Sequence, residues 1–166
     1  MKRLLNADEY LSSYKELDLK RYARMGYSVF FLDIDNTLTP YYEEEPDEDV
    51  KRFLEECREE GFQVFLFSNN TKERVLKYAR ELDCYTAYMS LKPVGLQYER
   101  IIYEYHLDKN RIICIGDQLI TDILGGNLRG LYTVHVKPVV EKDHIIGKIT
   151  RVMEKAVFKI NGHKEM

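Results

Sequence analysis

Two aspartates one residue apart, Asp33 and Asp35, close the apolar run of YSVFFLDIDNTLTP, Tyr27 to Pro40. Side chains alternate along a strand, so two such carboxylates share a side and can address one ligand as the chain leaves a sheet. They repel unless a cation lies between them. Hard magnesium, which takes one or two carboxylates, several waters and phosphate oxygens, meets that need. The short apolar run with its abrupt polar end reads as a buried parallel strand delivering these acids to its carboxyl edge. Taken alone, the DIDN string also fits an ordinary turn, because Asp and Asn tolerate strained backbone and cap helices.

Three further polar clusters recur in the same setting. Phe62 to Phe67 reads as a strand ending in Ser68, Asn69, Asn70 and Thr71. These residues suit the cap of a helix carrying Val75, Leu76, Ala79 and Leu82, and a helix amino terminus also favours phosphate. Tyr85 to Met89 is a strand of weaker pattern, followed by Lys92 and Pro93 at the mouth of a helix from Val94 to His106. Arg111 to Ile115 is a clear strand that leads into GDQLITD, Gly116 to Asp122, and Leu131 to Val136 is another.

The elements between these clusters are helical. The acidic run EEEPDED, Glu43 to Asp49, is read as a solvated helix start rather than a second metal site, since Pro46 suits a first turn and acids there complement the helix dipole. Val50, Phe53, Leu54 and Cys57 keep helical spacing, and Gly61 ends a helix of about 46–60. Leu4, Leu5, Tyr10, Leu11, Tyr14, Leu17 and Leu19 predict short helical turns before the first strand. Gly125, Gly126 and Asn127 with Gly130 match no Walker motif and are read as a helix end shaped by close packing or left-handed geometry. The alternation predicts an α/β fold, a doubly wound, Rossmann-like parallel sheet flanked by helices, with its site along the strand carboxyl edge.

The 166 residues suffice for one domain with a sizeable core. A net charge of -3 gives no sign of a nucleic-acid partner. Cys57, Cys84 and Cys114 are odd in number, lack CxxC spacing and fall within expected elements, which predicts reduced, buried thiols and a cytoplasmic protein. Neither a signal peptide nor a membrane span is expected.

The strings DNTLTP, SNN, KP and GDQLITD, in this order at strand ends, resemble the four motifs of the haloacid dehalogenase (HAD) superfamily of phosphohydrolases. The resemblance covers about residues 27–136. It is nearest to the capless subfamily IIIA and its YqeG-like group, which is related to phosphatidylglycerophosphate phosphatases. It implies that Asp33 is the nucleophile, forming an aspartyl-phosphate, and that Asp35 protonates the leaving group and then activates water. Thr37 would fix the loop and Asp35. Ser68, with Asn69 and Thr37 beside it, would bind the phosphoryl group, and Lys92 would steady nucleophile and phosphate. Magnesium would be held by Asp33, Asp117 and the Asp35 main-chain carbonyl, with Asp122 reaching it through water or orienting Lys92.

The spans from Thr37 to Ser68 and from Ser68 to Lys92 leave room only for core elements, so no large cap domain is expected. An open site suits a phosphate protruding from something large, such as a lipid surface. Near the carboxyl terminus, about 143–160, Ile145, Ile149, Val152, Ala156 and Ile160 form an apolar helical stripe beside a basic one of Lys148, Arg151, Lys155 and Lys159. That helix either docks on the sheet or lies on anionic membrane as a peripheral contact. Two other classes compete: a receiver-like phospho-accepting module, and a non-catalytic interaction protein retaining the fold. Receivers carry the acid pair on the first strand and the phosphorylated Asp two strands later, whereas the second motif-bearing strand here ends in Ser68. A silent protein would have no use for the complete polar set.

Overall fold

The computed structural model describes residues 4–140, and the basic amphipathic helix expected at about 143–160 lies outside them. Six strands form one parallel sheet: β1 (Glu9–Leu11), β2 (Val29–Leu32), β3 (Gln63–Phe67), β4 (Tyr85–Ala87), β5 (Ile112–Gly116) and β6 (Tyr132–Val136). Their spatial order is β1-β6-β5-β2-β3-β4. From β2 the chain moves outward to β3 and β4, then returns to place β5 on the other side of β2. In open α/β sheets a crevice forms at such a reversal, outside the strand carboxyl ends.

The helices are α1 (Leu19–Arg24), α2 (Glu48–Glu59), α3 (Lys72–Tyr78), α4 (Gln97–Glu104) and α5 (Leu124–Leu128). Alternate β2 residues sort the core into two layers. Phe30 and Leu32 pack with Tyr22 of α1, Val50, Leu54 and Cys57 of α2, and Val75 and Tyr78 of α3. Val29 and Phe31 face the other way, against Tyr98, Ile101 and Ile102 of α4. The doubly wound parallel sheet thus stands as expected.

The amino-terminal segment differs in part from expectation. It holds one 3₁₀ turn, Tyr14–Glu16, and α1, but also β1, which pairs in parallel with β6 through Glu9 and Val134, Tyr10 and His135, and Leu11 and Val136. Three residues are too few to show a period, and main-chain pairing to a distant strand leaves no local signal.

The acidic run has the structural role expected of it. Asp47 caps α2 by accepting from the Val50 amide at 2.8 Å. Glu44 pairs with Lys77, Glu48 with Lys51, and Asp49 with Lys15 and Arg52. Gly125 and Gly126 lie inside α5 because there is no room for a side chain: a Cβ would come within 2.7 Å of the Tyr98 hydroxyl at the first and 2.6 Å of Thr133 Cγ2 at the second. The three thiols are free, with Cys57 and Cys114 buried and Cys84 half-buried. Burial pushes both Cys84 and Cys114 up to about 12, which leaves them as packing groups. Among the described residues no helix is long and apolar enough to cross a membrane.

Candidate active site

Asp33 follows β2, Ser68 follows β3, Asp117 follows β5, and Lys92 lies beyond β4, so the sheet's parallel order alone brings these residues to one edge. Lys92 is the centre. It is buried, and its Nζ donates to Asp33 Oδ1 at 2.7 Å, Asp122 Oδ1 at 2.5 Å and the Phe67 carbonyl at 2.9 Å. An ammonium has three donors, and all three are engaged. Burial works against its charge, but Asp122 and Asp33 outweigh that and push the lysine above its ordinary range.

Each carboxylate around it has a distinct set of partners. Asp33 accepts from Lys92 on one oxygen and from Thr37 Oγ1 on the other, at 3.0 Å. Burial pushes Asp33 up to about 6, with Lys92 opposing and Asp122 reinforcing the shift. Asp122 sits in a π-helical turn, Leu119–Ile123, with Oδ1 on Lys92 and Oδ2 accepting from the Gln118 amide at 3.1 Å. A Cβ on Gly116 would collide with the Asp122 carboxylate, so glycine there is what lets the turn close. Asp117 Oδ1 lies 3.5 Å from Thr37 Oγ1, the outer limit of a hydrogen bond.

Carboxylate oxygens of Asp33, Asp117 and Asp122 lie within 4.8 Å of one another. Three buried carboxylates against one ammonium leave an excess of negative charge that a cation would relieve. All the donors are hard oxygens, which suits magnesium. Asp33, Asp117 and Asp122 are the acids that could hold it. Asp122 is bonded to Lys92 through Oδ1 and to the Gln118 amide through Oδ2.

Other expected residues are placed differently. The Asp35 carboxylate stands apart from the acid cluster: Oδ1 pairs with Arg74 at 2.8 Å, and Oδ2 accepts from Ser68 Oγ at 3.4 Å and Asn70 Nδ2 at 3.3 Å. Thr37 is bonded to Asp33 rather than to Asp35. Asn69 braces the lysine main chain, its Oδ1 accepting from the Lys92 amide at 2.7 Å and its Nδ2 donating to the Lys92 carbonyl at 3.4 Å. Ser68 is buried, and its Oγ accepts from the Asn70 amide at 3.0 Å.

A cleft of about 370 Å³ opens over this cluster, lined by Asp33, Asp35, Tyr41, Ser68, Lys92 and Gln118 among others. Among the described residues no inserted domain covers it. Arg74 carried no signal in the sequence, since an arginine in a first helical turn is an ordinary surface residue, and Gln118 was given no role within GDQLITD.

His135, at the end of β6, supports the cluster from below by donating from Nε2 to the Asp117 carbonyl at 2.9 Å. Burial pushes its imidazole down to about 4. Between pH 6.5 and 4 the unfolded chain therefore binds a proton that the folded protein excludes, and stability falls as the pH drops through that window. The loss is up to about 3 kcal/mol. Denaturant titrations in chelator should show a shallower loss for His135→Gln than for the natural protein; parallel curves would contradict the assignment.

Strand-end acids gathered around a buried lysine on a doubly wound parallel sheet fit the arrangement expected of a haloacid dehalogenase-like hydrolase. Residues 91–154 match the family model described as HAD-hydrolase-like. Over 166 aligned residues the chain is 30% identical to the probable phosphatase YqeG of Bacillus subtilis strain 168, covering 98% of this chain and 96% of that one. The chain therefore belongs to the haloacid dehalogenase-like phosphatase family that includes YqeG. Among solved structures, an uncharacterised protein from Listeria monocytogenes serotype 4b aligns with a TM-score of 0.56 and 18% identity, over 71% of this chain and 84% of that one. A haloacid dehalogenase-like hydrolase from Brucella suis 1330 aligns with a TM-score of 0.52 and 12% identity, over 73% and 92%. At these identities the two structures bear on the fold alone.

Proposed function

We propose that the protein is a magnesium-dependent phosphomonoester hydrolase that works through an aspartyl-phosphate. The observation that carries this reading is the buried Asp33, held on one oxygen by Lys92 and on the other by Thr37, at the floor of an open cleft. Fixed in this way, the carboxylate attacks phosphorus, and the bond to the ester oxygen breaks in line behind it. Asp35 gives its proton to the departing alkoxide. As carboxylate it then takes a proton from water, whose oxygen attacks phosphorus, releasing inorganic phosphate and restoring Asp33. Lys92 offsets negative charge throughout, and Ser68 donates to a phosphoryl oxygen. Asp33 and Asp117 would hold a magnesium ion, which would supply charge neutralisation for the phosphate.

A lipid phosphate is the substrate class we favour. In support, the segment that carries Lys92 exposes Met89, Leu91, Val94 and Leu96 at 58%, 67%, 75% and 78%. Exposed apolar side chains on the segment that delivers a site lysine suit an amphiphile. The test is magnesium-dependent phosphate release from p-nitrophenyl phosphate, sugar phosphates, nucleotides, phosphopeptides and phosphatidylglycerophosphate in mixed micelles. Turnover abolished by chelator and restored by magnesium is expected, with the lipid preferred. No preference for the lipid would sink that substrate class, and stable phosphorylation by acetyl phosphate without turnover would point instead to a receiver-like module.

A further inference from the structure

We propose that Arg74 is a positioning residue of the hydrolysis, fixing one oxygen of Asp35 and the loop beyond it so that the other oxygen serves the leaving group. The proposal rests on the acid–base reading of Asp35.

Arg74 lies in the first turn of α3, where Thr71 caps the helix and accepts from the Arg74 amide. Its Nη2 contacts three acceptors: Asp35 Oδ1 at 2.8 Å, the Glu43 carbonyl at 2.7 Å and the Tyr41 carbonyl at 3.2 Å. Residues between Thr39 and α2 form no regular element, so their carbonyls lack ladder partners and depend on donors of this kind. One guanidinium therefore ties together the acid after β2, the loop that carries Tyr41 to the cleft wall, and the helix after β3.

The two oxygens of Asp35 are held unequally. Oδ1 has a short, charge-assisted bond to Arg74, whereas Oδ2 has only long contacts with Ser68 and Asn70, at 3.4 and 3.3 Å. Oδ2 is thus the oxygen free to exchange partners when a substrate enters. The pair is four-fifths covered, with side-chain exposures of 19% and 18%, so its geometry is set by the surrounding elements rather than by solvent. No other basic side chain is paired with Asp35 among the described residues.

The discriminating measurement compares phenyl phosphate with p-nitrophenyl phosphate, similar in size but differing in how much the leaving oxygen needs a proton. Asp35→Asn should lower kcat about a hundredfold or more on phenyl phosphate and much less on p-nitrophenyl phosphate. Arg74→Gln should show the same selectivity, about tenfold or more on phenyl phosphate, with KM little changed. Arg74→Lys, which keeps the charge but places it on a shorter side chain with a point-like ammonium, should recover part of the loss. The double variant Asp35→Asn/Arg74→Gln should be no slower than Asp35→Asn alone, because the arginine acts through the acid.

Equal losses on both substrates, or additive losses in the double variant, would overturn the positioning role while leaving Asp35 as acid. No selectivity in Asp35→Asn itself would overturn the acid–base reading and this proposal with it. Thermal melts of each variant separate loss of fold from loss of position.

Discussion

Lys92→Met is expected to abolish phosphate release and to lower the folding free energy by about 3–5 kcal/mol. Methionine matches the length and fills the space of the lysine stem, so packing is nearly preserved. What disappears is the charge shared by Asp33 and Asp122, which sit 2.7 and 2.5 Å from the buried ammonium. Two buried carboxylates would then face each other with one donor fewer each, and the Phe67 carbonyl would lose its partner. Both losses can be read from one sample set, by denaturant unfolding and by phosphate release. A variant that melts with the natural protein would show that the ammonium is not needed to hold the acids together.

Asp33→Asn is expected to give the opposite signature, a folded protein without chemistry. Phosphate release should fall at least about ten-thousandfold, the scale on which removal of a nucleophile acts. Stability in chelator at pH 8 should change little. Asparagine can still accept from Lys92, and it removes a charge whose burial is unfavourable enough to push the carboxyl up to about 6. A folded acid with a raised pKa favours low pH, so the natural protein loses stability as pH rises from about 4 to 6 through this group, and the variant should lack that component. Residual turnover within tenfold of the natural protein would mean that Asp33 is not the attacking group.

Much of this site was legible in the residues themselves. Asp33 stood out because a buried apolar run that stops abruptly at a polar cluster marks a strand reaching the edge of its sheet, whereas Ser68, Lys92, Asp117 and Asp122 were named through the resemblance to the haloacid dehalogenase motifs. Partners were not legible. Which oxygen of Asp33 meets Lys92, that Thr37 serves Asp33, and that Asn69 braces the lysine main chain all depend on side-chain directions set by packing. Arg74 was invisible for a related reason: its first-turn position on α3 is typical of solvated arginines, and only the return of the Tyr41–Glu43 loop covers it. Strand β1 escaped because its stabilisation comes from pairing with a strand that lies far along the chain.

The parallel sheet has a further consequence, for the order in which the molecule comes into being. Lys92 is 59 residues from Asp33, and Asp117 is 80 from Thr37, so the bonds that join the motifs into one site close long loops. Closing long loops is entropically unfavourable until many contacts form together, which makes parallel sheets slow to fold. A nascent chain that has paired β2 with β3 already holds Asp33, Asp35 and Ser68 at one edge but not the acids beyond β5. Docking of β5 beside β2 adds Asp117 and Asp122 to the edge where Asp33, Asp35 and Ser68 already stand, so a fragment that ends before β5 is expected to release no phosphate.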